Sequence, residues 1–324
     1  MITPTTGNTG PFTILLARPR GFCAGVVRAI DIVEQVLQKY PPPIYVRKEI
    51  VHNKAVVESF RQKGVRFVDS LEEVPAGGLV VFSAHGVSPD VRKRAQERKL
   101  RVIDATCPLV TKVHLEVHRF LKDGYSLVLI GHADHDEVVG TVGEAPDRIH
   151  LVATEEDVAG LDVGNPSKIM ILTQTTLSVD EARKMIEIIQ KKYPGASTPP
   201  RHDICYATQN RQDAVKELMR EGMQLLLVVG SQNSSNSRRL CEVARKTGVP
   251  AHLIDKASEI EDGWFGGLRC VGVTAGASAP EYLVRDVIQR LQAAGRGVVR
   301  EVSVREEEIH FSIPPDLMGS QEKP

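Results

Sequence analysis

Three of the five cysteines in this 324-residue chain lie in similar local sequences. Cys23 lies in RPRGFCAGV, Cys107 in DATCPLV and Cys205 in HDICYAT. Each follows a bend or a polar, turn-forming segment, and each precedes an amphipathic run. The intervals between them are 84 and 98 residues. We therefore expect three copies of one structural unit, with the three cysteines meeting at a single inorganic centre.

The number of thiolates narrows the kind of centre. A structural zinc site needs four protein ligands, commonly with C-x-x-C spacing, and this chain has no C-x-x-C. Three thiolates suit an iron–sulfur cluster in which one iron has no protein ligand and can act as a Lewis acid. Ordinary apolar burial stays the alternative for each cysteine. Cys241 and Cys270 lack the repeated position, and we expect them to be core residues.

Short polar side chains recur where the predicted strands end. Cys23 precedes His52 by 29 residues, Cys107 precedes His135 by 28, and Cys205 precedes Ser234 by 29. Donors at helix starts favour an anion, and the chain lacks a Walker-type loop, so the pattern favours a phosphate or diphosphate over a nucleotide. Helix capping is the alternative role for the serines. The candidate ligand-binding residues are His52, His85, His135, Ser234, Ser235, Asn236 and Ser278.

Glu137 and Thr175 are the candidates for proton chemistry. Glu137 follows His135 by two residues, and a carboxyl group in a mainly neutral pocket keeps its proton because desolvation disfavours the charged form. Such a group can act as a general acid. Thr175, in the TQTT turn, can orient a substrate hydroxyl or pass a proton. A solvated loop position for Glu137 and a helix cap for Thr175 are the alternatives.

The elements that position these residues alternate between strand and helix. Apolar periodicity of 3.6 after each cysteine predicts a helix, and short β-rich runs predict strands that end at the polar turns. The pattern predicts three small α/β units with mostly parallel sheets, in which ligands bind at the carboxyl ends of the strands. VVREVSV and EIHFSI are predicted as late strands.

Composition limits the function classes. Lys and Arg equal Asp and Glu at 41 each, which argues against a non-specific nucleic-acid binder. No apolar run has a membrane-spanning length, and the N-terminus does not resemble a secretory signal. Cysteines that are ligands rather than disulfides are typical of the cytoplasm, so we expect a cytoplasmic protein without membrane or nucleic-acid partners.

At this point the motifs resemble a known family, the 4-hydroxy-3-methylbut-2-enyl diphosphate reductases of the non-mevalonate isoprenoid pathway. The resemblance covers about residues 13–312. It is carried by RGFCAGV, VHN, SAHGVS, DATCPLVTKVH, GHxxHxEV, TQTTLSV, DICYAT with NRQ, NSSNS and VTAGASAP.

The resemblance implies a trefoil of three pseudo-symmetric α/β domains around a 4Fe-4S cluster bound by Cys23, Cys107 and Cys205. It implies an oxidoreductase that removes the allylic hydroxyl of (E)-4-hydroxy-3-methylbut-2-enyl diphosphate as water, giving isopentenyl and dimethylallyl diphosphates. Glu137 matches the family's proton donor and Thr175 its hydroxyl-side threonine. The polar residues named above match its diphosphate ligands. Ferredoxin or flavodoxin is the implied electron donor.

The predicted domains are residues 23–106, 107–204 and 205–312, with an N-terminal tail and strand at 1–22 and a C-terminal tail at 313–324. One residue departs from the family pattern: Asp136 replaces the usual proline between His135 and Glu137. A second carboxylate there is expected to loosen the loop and to raise the proton affinity of Glu137.

Two other classes remain open from sequence. An iron or redox sensor would use the cluster only as a signal and would need no diphosphate site. A zinc-dependent phosphate-ester hydrolase would contain stoichiometric zinc in place of iron.

Overall fold

The computed structural model describes residues 12–293 and 297–317. The predicted N-terminal tail before Phe12 and the predicted C-terminal tail after Leu317 lie outside the described residues. The described chain forms two compact units. The first unit comprises the described residues 12–23, 52–55, 206–293 and 297–308. The second unit comprises residues 24–51, 56–205 and 309–317.

The chain begins with β1 (Thr13–Arg18) and α1 (Ala24–Lys39), with Cys23 directly before the helix. The α1 face that carries Val26, Ala29, Val33 and Val36 is buried, as the 3.6-residue apolar period requires. The prolines at 41–43 follow the helix, since proline has no amide hydrogen and cannot extend it.

Sheet 1 belongs to the second unit and has four parallel strands. Its strands and helices are β2 (Ile44–Arg47), α2 (Lys54–Gln62), β3 (Val65–Val68), β4 (Leu79–Phe82), α3 (Pro89–Glu97) and β5 (Arg101–Asp104). The strand order is β3-β2-β4-β5, with register such as Val46 opposite Val81. The turn carrying His85 follows β4, and Cys107 follows β5.

Sheet 2, also in the second unit, repeats this arrangement. Its elements are α4 (Pro108–Lys122), β6 (Ser126–Ile130), α5 (Asp136–Val142), β7 (Ile149–Val152), α6 (Glu155–Gly160), β8 (Ile169–Thr173), α7 (Val179–Lys192) and β9 (Ala196–Ser197). The parallel order is β7-β6-β8-β9. All five residues of β8 are buried, which is typical of a parallel strand covered on both faces.

Sheet 3 belongs to the first unit and has five parallel strands. Its other elements are α8 (Tyr206–Arg220), β10 (Leu225–Val229), α9 (Ser235–Arg245), β11 (Ala251–Ile254), β12 (Cys270–Ala275), α10 (Glu281–Ala293) and β13 (Val298–Ser303). The order is β11-β10-β12-β1-β13. β1 therefore pairs with β12 and β13, from the other end of the chain.

The three sheets share one plan. The strand before each cysteine lies beside the third strand of its sheet: β5 beside β4, β9 beside β8, and β1 beside β12. The predicted α/β class with repeated parallel sheets is confirmed. The predicted domain boundaries stay a prediction. β1 precedes residue 23, but it pairs within sheet 3, whose other strands come from the predicted third domain.

The sequence pattern was wrong for EIHFSI, placed the residues of α5 in a loop and missed two further short elements. Residues 308–313 are not in a strand, and Ile309 is exposed, so this segment has no buried face that would favour a sheet ladder. The two-residue β9 and the six-residue α6 are too short for periodicity to reveal. No helix in residues 12–293 and 297–317 has the length and apolar character to cross a membrane.

Candidate active site

The backbone of each of the three cysteines is held in the same way. The Cys107 amide donates to the carbonyl of Ala84 at 3.0 Å, the Cys205 amide to that of Thr175 at 3.0 Å, and the Cys23 amide to that of Ala277 at 3.1 Å. Each acceptor lies two residues after the third strand of the sheet concerned. The cysteines are therefore equivalent in structure, as their sequence context predicts.

Each cysteine also lies at the start of a helix. Cys107 is the N-cap of α4, while Cys23 and Cys205 directly precede α1 and α8. A helix N-terminus favours negative charge, so it suits a thiolate ligand. None of the three is in a disulfide, and all are partly exposed, whereas Cys241 is buried within a hydrophobic core as expected. This donor set fits a group bound by thiolates.

Glu137 and Thr175 form a buried pair in the second unit. The Thr175 amide donates to Glu137 Oε1 at 2.7 Å, and the Thr175 hydroxyl donates to Glu137 Oε2 at 2.9 Å. Glu137 is only 3% exposed, although it lies in the first turn of α5. Because the Thr175 carbonyl accepts from the Cys205 amide, one residue connects the carboxyl group to a candidate ligand.

Burial raises the pKa of Glu137 to about 7. The two hydrogen bonds from Thr175 and the charge of His114 act in the opposite direction, and the charge of Asp203 adds to the increase. A pKa near neutrality is what a general acid needs, since the group must hold its proton and still release it.

His135 and His85 lie near this pair within the second unit. His135 is the N-cap of α5, and its Nδ1 accepts from the Glu137 amide at 3.2 Å. The His85 and His135 rings meet edge to face with centroids 6.0 Å apart. The structure thus brings the turn after β4 close to the turn after β6, as expected for a common site.

Asp136 is the first residue of α5. Proline is favoured at this position because its missing amide hydrogen costs nothing there, and an acidic residue is favoured because of the helix dipole. The replacement is therefore compatible with the helix start. The raised pKa of Glu137 is caused mainly by burial. Among the acidic residues nearby, the charge of Asp203 is the one that adds to it.

The first unit holds the remaining polar candidates. Ser234 is the N-cap of α9 and accepts from the Ser237 amide. The Ser278 hydroxyl donates to the His52 carbonyl at 2.8 Å and lies 3.4 Å from Ser234 Oγ. Asn236 Oδ1 accepts from the Ala277 amide at 2.8 Å, in the same turn that holds Cys23. Ser235 is buried at the start of α9. The candidates that follow strands of sheet 3 are Ser234, Ser235, Asn236 and Ser278, together with Cys23, whereas His52 follows β2 of sheet 1.

Comparison with known proteins identifies the family. The LytB protein family matches residues 14–292. This chain belongs to the LytB family. A curated relative, the 4-hydroxy-3-methylbut-2-enyl diphosphate reductase of Azotobacter vinelandii, is 57% identical over 308 residues, covering 94% of this chain and 98% of the relative. The protein of the same name from Azoarcus sp. is 56% identical, covering 95% and 98%.

Solved structures give the same relationship for this LytB-family chain. The E-1-hydroxy-2-methyl-but-2-enyl-4-diphosphate reductase from Plasmodium falciparum matches with a TM-score of 0.92 and 36% identity, covering 95% of this chain and 97% of that one. A structure described as (E)-4-hydroxy-3-methyl-but-2-enyl diphosphate reductase, the terminal enzyme of the non-mevalonate pathway, matches with a TM-score of 0.61 and 32% identity. That match covers 87% of this chain and 99% of the other.

Sequence reasoning missed Arg211, which supports the Cys23 turn of this LytB-family protein. Its guanidinium is fully buried and donates to the Gly21 and Phe22 carbonyls, with Nη2 2.6 Å from the Gly21 oxygen. Glu307 neutralises it at 3.0 Å. Sequence patterns did not reveal this role, because arginine is normally exposed and an arginine in α8 is therefore expected on the solvent side of the helix.

Proposed function

We propose that this chain catalyses the reductive dehydroxylation of (E)-4-hydroxy-3-methylbut-2-enyl diphosphate to isopentenyl diphosphate and dimethylallyl diphosphate, the last step of the non-mevalonate isoprenoid pathway. The observation that carries this proposal is the match, along nearly the whole of both chains, to curated reductases at 55–57% identity. Such a reaction needs a proton donor and a bound redox cofactor. The buried Glu137, held by Thr175, can supply the proton, and the three equivalent cysteines can bind the cofactor.

The cofactor in this proposal is a 4Fe-4S cluster bound by Cys23, Cys107 and Cys205. Their shared position at helix starts, outside any disulfide, supports the assignment. When bound, such a cluster supplies electrons and one iron that has no protein ligand.

The reaction consumes two electrons and two protons and releases the substrate hydroxyl as water. Glu137 donates a proton to the departing hydroxyl group, and its burial keeps that proton in place until substrate is bound. The Thr175 hydroxyl holds the carboxyl group through Oε2 and fixes its orientation. Exclusion of water around Glu137 strengthens these interactions, because the local dielectric is low.

The diphosphate is proposed to bind through neutral or positively charged donors. In the first unit these are His52, Ser234, Ser235, Asn236 and Ser278, and in the second unit His85 and His135. Ser234, Ser235 and His135 lie at helix starts, where backbone amides and the helix dipole favour an anion. The proposed set itself contains no acidic residue, while the carboxylate of Asp136 lies within 4.8 Å of a ring nitrogen of His85.

Electrons are proposed to come from ferredoxin or flavodoxin, as the family resemblance implies. Cysteines that must remain thiolates for cluster binding require a reducing compartment, which supports the proposed cytoplasmic location.

Anaerobic reconstitution with iron and sulfide, followed by turnover of the allylic diphosphate, tests the proposal. Serine at position 23, 107 or 205 is expected to abolish both cluster content and product formation. Cys270→Ser is the matched control, because Cys270 is also partly exposed but lies at the start of β12, away from the cysteine turns.

Full turnover in any one of the three variants would remove that cysteine from the ligand set. Iron binding without turnover of the diphosphate would favour a sensor, and a colourless protein with stoichiometric zinc would favour a hydrolase.

A further inference from the structure

A surface groove lies beside α4, the helix that follows Cys107, and has a volume of about 480 Å³. Its lining comes from α4, from the residues on either side of Cys107 and from α1. All of these segments belong to the second unit. We call it the α4 groove and define it by six of its lining residues: Arg28, Thr106, Pro108, Lys112, Leu115 and Arg119.

The Cys107 segment forms one wall of the α4 groove. Thr106 and Pro108, which flank Cys107, both line it. Arg28 Nη1 donates to the Thr106 carbonyl at 3.0 Å, so the guanidinium is held beside the residue before the cysteine. The Thr111 hydroxyl, also in the lining, donates to the Cys107 carbonyl at 3.3 Å. The groove therefore adjoins a candidate cluster ligand.

Lys112 connects the groove to a second candidate ligand, Cys205. Its Nζ donates to the Arg201 carbonyl at 3.1 Å and to Asp203 Oδ1 at 2.7 Å, four and two residues before Cys205. Cys107 and Cys205 are both partly exposed. Electron transfer becomes faster as the distance between two redox centres decreases. A carrier bound in the α4 groove would therefore lie close to any redox group held by these two cysteines.

Two cations of the α4 groove form no ion pair with any residue in 12–293 and 297–317. Arg28 donates to two backbone carbonyls, and Arg119 is exposed. The third cation, Lys112, is paired with Asp203 and with Glu116, the one acidic residue in the lining. The groove therefore presents net positive charge to solvent, although the chain as a whole has a formal net charge of zero.

An exposed leucine lies among these charges. Thr111, Leu115 and Arg119 follow Cys107 at four-residue intervals, so they form one stripe along α4. Leu115 is 64% exposed, whereas the opposite face of the helix is buried in the core beside sheet 2. An apolar side chain next to cations suits a protein interface, which has an apolar centre and a polar rim. A small anion would use only the cations.

We propose that the α4 groove is the docking surface for the electron donor, a small acidic protein that carries one electron at a time. Arg28 and Arg119 attract its carboxylates, and Leu115 packs against an apolar patch beside its redox centre. Each docked carrier is oxidised by one electron. A turnover that consumes two electrons and two protons therefore requires two successive encounters. This inference rests on the proposed function, since it locates the donor of that reaction.

The test is calorimetric titration of the reconstituted full-length protein with a purified acidic ferredoxin in its oxidised form, so that no turnover occurs. Arg119→Glu and Leu115→Glu each place a carboxylate in the groove, and both side chains are exposed, so the fold should be retained. Each is expected to weaken binding about tenfold at low salt. The effect of Arg119→Glu should shrink at about 1 M salt, where the Debye length is about 3 Å.

Arg183→Glu is the matched control. It reverses the charge of another exposed arginine of the second unit, on α7. The buried residues of α7 pack with Val128 and Ile130 of β6, whereas those of α4 pack with Leu127 and Leu129. The two helices therefore cover opposite faces of sheet 2, and Arg183→Glu is expected to bind ferredoxin like wild type.

Turnover of the allylic diphosphate gives a second readout. With ferredoxin as the donor, the KM for ferredoxin is expected to rise about tenfold in both groove variants. Reduced methyl viologen is a small cation that needs no docking surface for an acidic protein. With this donor, kcat is expected to equal that of wild type in both variants.

A wild type that does not bind ferredoxin, or groove variants that bind it as tightly as wild type, would overturn the proposal. Sedimentation tests the other occupant, a second copy of the chain. A wild type that self-associates and becomes monomeric on Leu115→Glu would also overturn the proposal. A protein that binds ferredoxin at the groove but never turns over the diphosphate would instead contradict the proposed function and leave the docking surface in place.

Discussion

Glu137 is almost completely buried, although glutamate is normally exposed, and it accepts two hydrogen bonds from Thr175. The sequence predicted the acid and its threonine from their turns, and it attributed the retained proton of Glu137 to desolvation with a further contribution from Asp136. Burial is indeed the largest cause of the raised pKa of Glu137, but the acidic residue that adds to it is Asp203 and not Asp136. Asp203 is 66 residues away in sequence, so its proximity arises only on folding. Local spacing finds the candidate groups, whereas their electrostatic environment depends on tertiary contacts.

Glu137→Gln is expected to retain substrate binding and to lose about 10²–10⁴-fold in kcat, because glutamine has no proton to donate. In the wild-type enzyme the acid form is needed and its pKa is about 7, so kcat should decline as the pH rises through that value. Steady-state kinetics from about pH 5 to about pH 9 measures both effects. A variant with unchanged kcat would exclude Glu137 as the proton donor.

Unfolding by denaturant provides the control for this variant. The folded-state pKa of Glu137 is raised, so its neutral form contributes stability at low pH that is lost as the pH rises through about 7. Glu137→Gln should therefore gain stability relative to wild type as the pH rises, by roughly 1–3 kcal/mol. A stability difference that is constant with pH would contradict the raised pKa.

At the scale of elements, the strand-to-cysteine-to-helix arrangement was largely predictable. β5 and the helix after Cys107 follow directly from apolar periodicity and flanking turns. The sequence did not predict that β1 pairs between β12 and β13, since long-range pairing leaves no local signal. EIHFSI was predicted as a strand because its alternating pattern suits a sheet. The prediction was wrong because a strand also needs a neighbouring strand to pair with and a buried face, and neither can be read from a local sequence pattern.

The contact between α8 and the turn before Cys23 can be tested by replacing Arg211, because this side chain connects the two segments. Arg211→Met removes the buried donors to the Gly21 and Phe22 carbonyls. It also removes the positive charge that pairs with Glu307, which then keeps only the hydrogen bond from the Asn210 side chain. Breaking a buried ion pair by removing one member costs about 3–5 kcal/mol. We therefore expect that loss of unfolding free energy by urea titration, together with reduced iron content after reconstitution.

The matched control for Arg211→Met is Arg300→Ala, which removes an exposed ion pair with Glu221 at 2.7 Å. Exposed pairs contribute about 0–1 kcal/mol, so this variant should unfold like wild type and retain its iron. Equal effects of the two substitutions would show that Arg211 does not hold the Cys23 turn.

For the whole molecule, the three cysteines are far apart in sequence and belong to three different sheets. A group bound by all three would crosslink segments that are distant in sequence, so its binding free energy would be available only to the folded chain. Under the proposed ligand assignment, the thermal stability of the protein would be coupled to the loading of the cluster.

We expect the anaerobic holoprotein to melt at a higher temperature than the protein from which iron has been removed by a chelator. Each Cys→Ser variant at 23, 107 and 205 should melt like the iron-free wild type whether or not iron and sulfide are supplied, while Cys270→Ser should regain the full increase. Scanning calorimetry of matched loaded and stripped samples measures this directly. Because mass action requires that anything bound only to the native state raises its melting temperature, an identical melting temperature for loaded and stripped wild type would mean that the iron is not bound at a site built by folding.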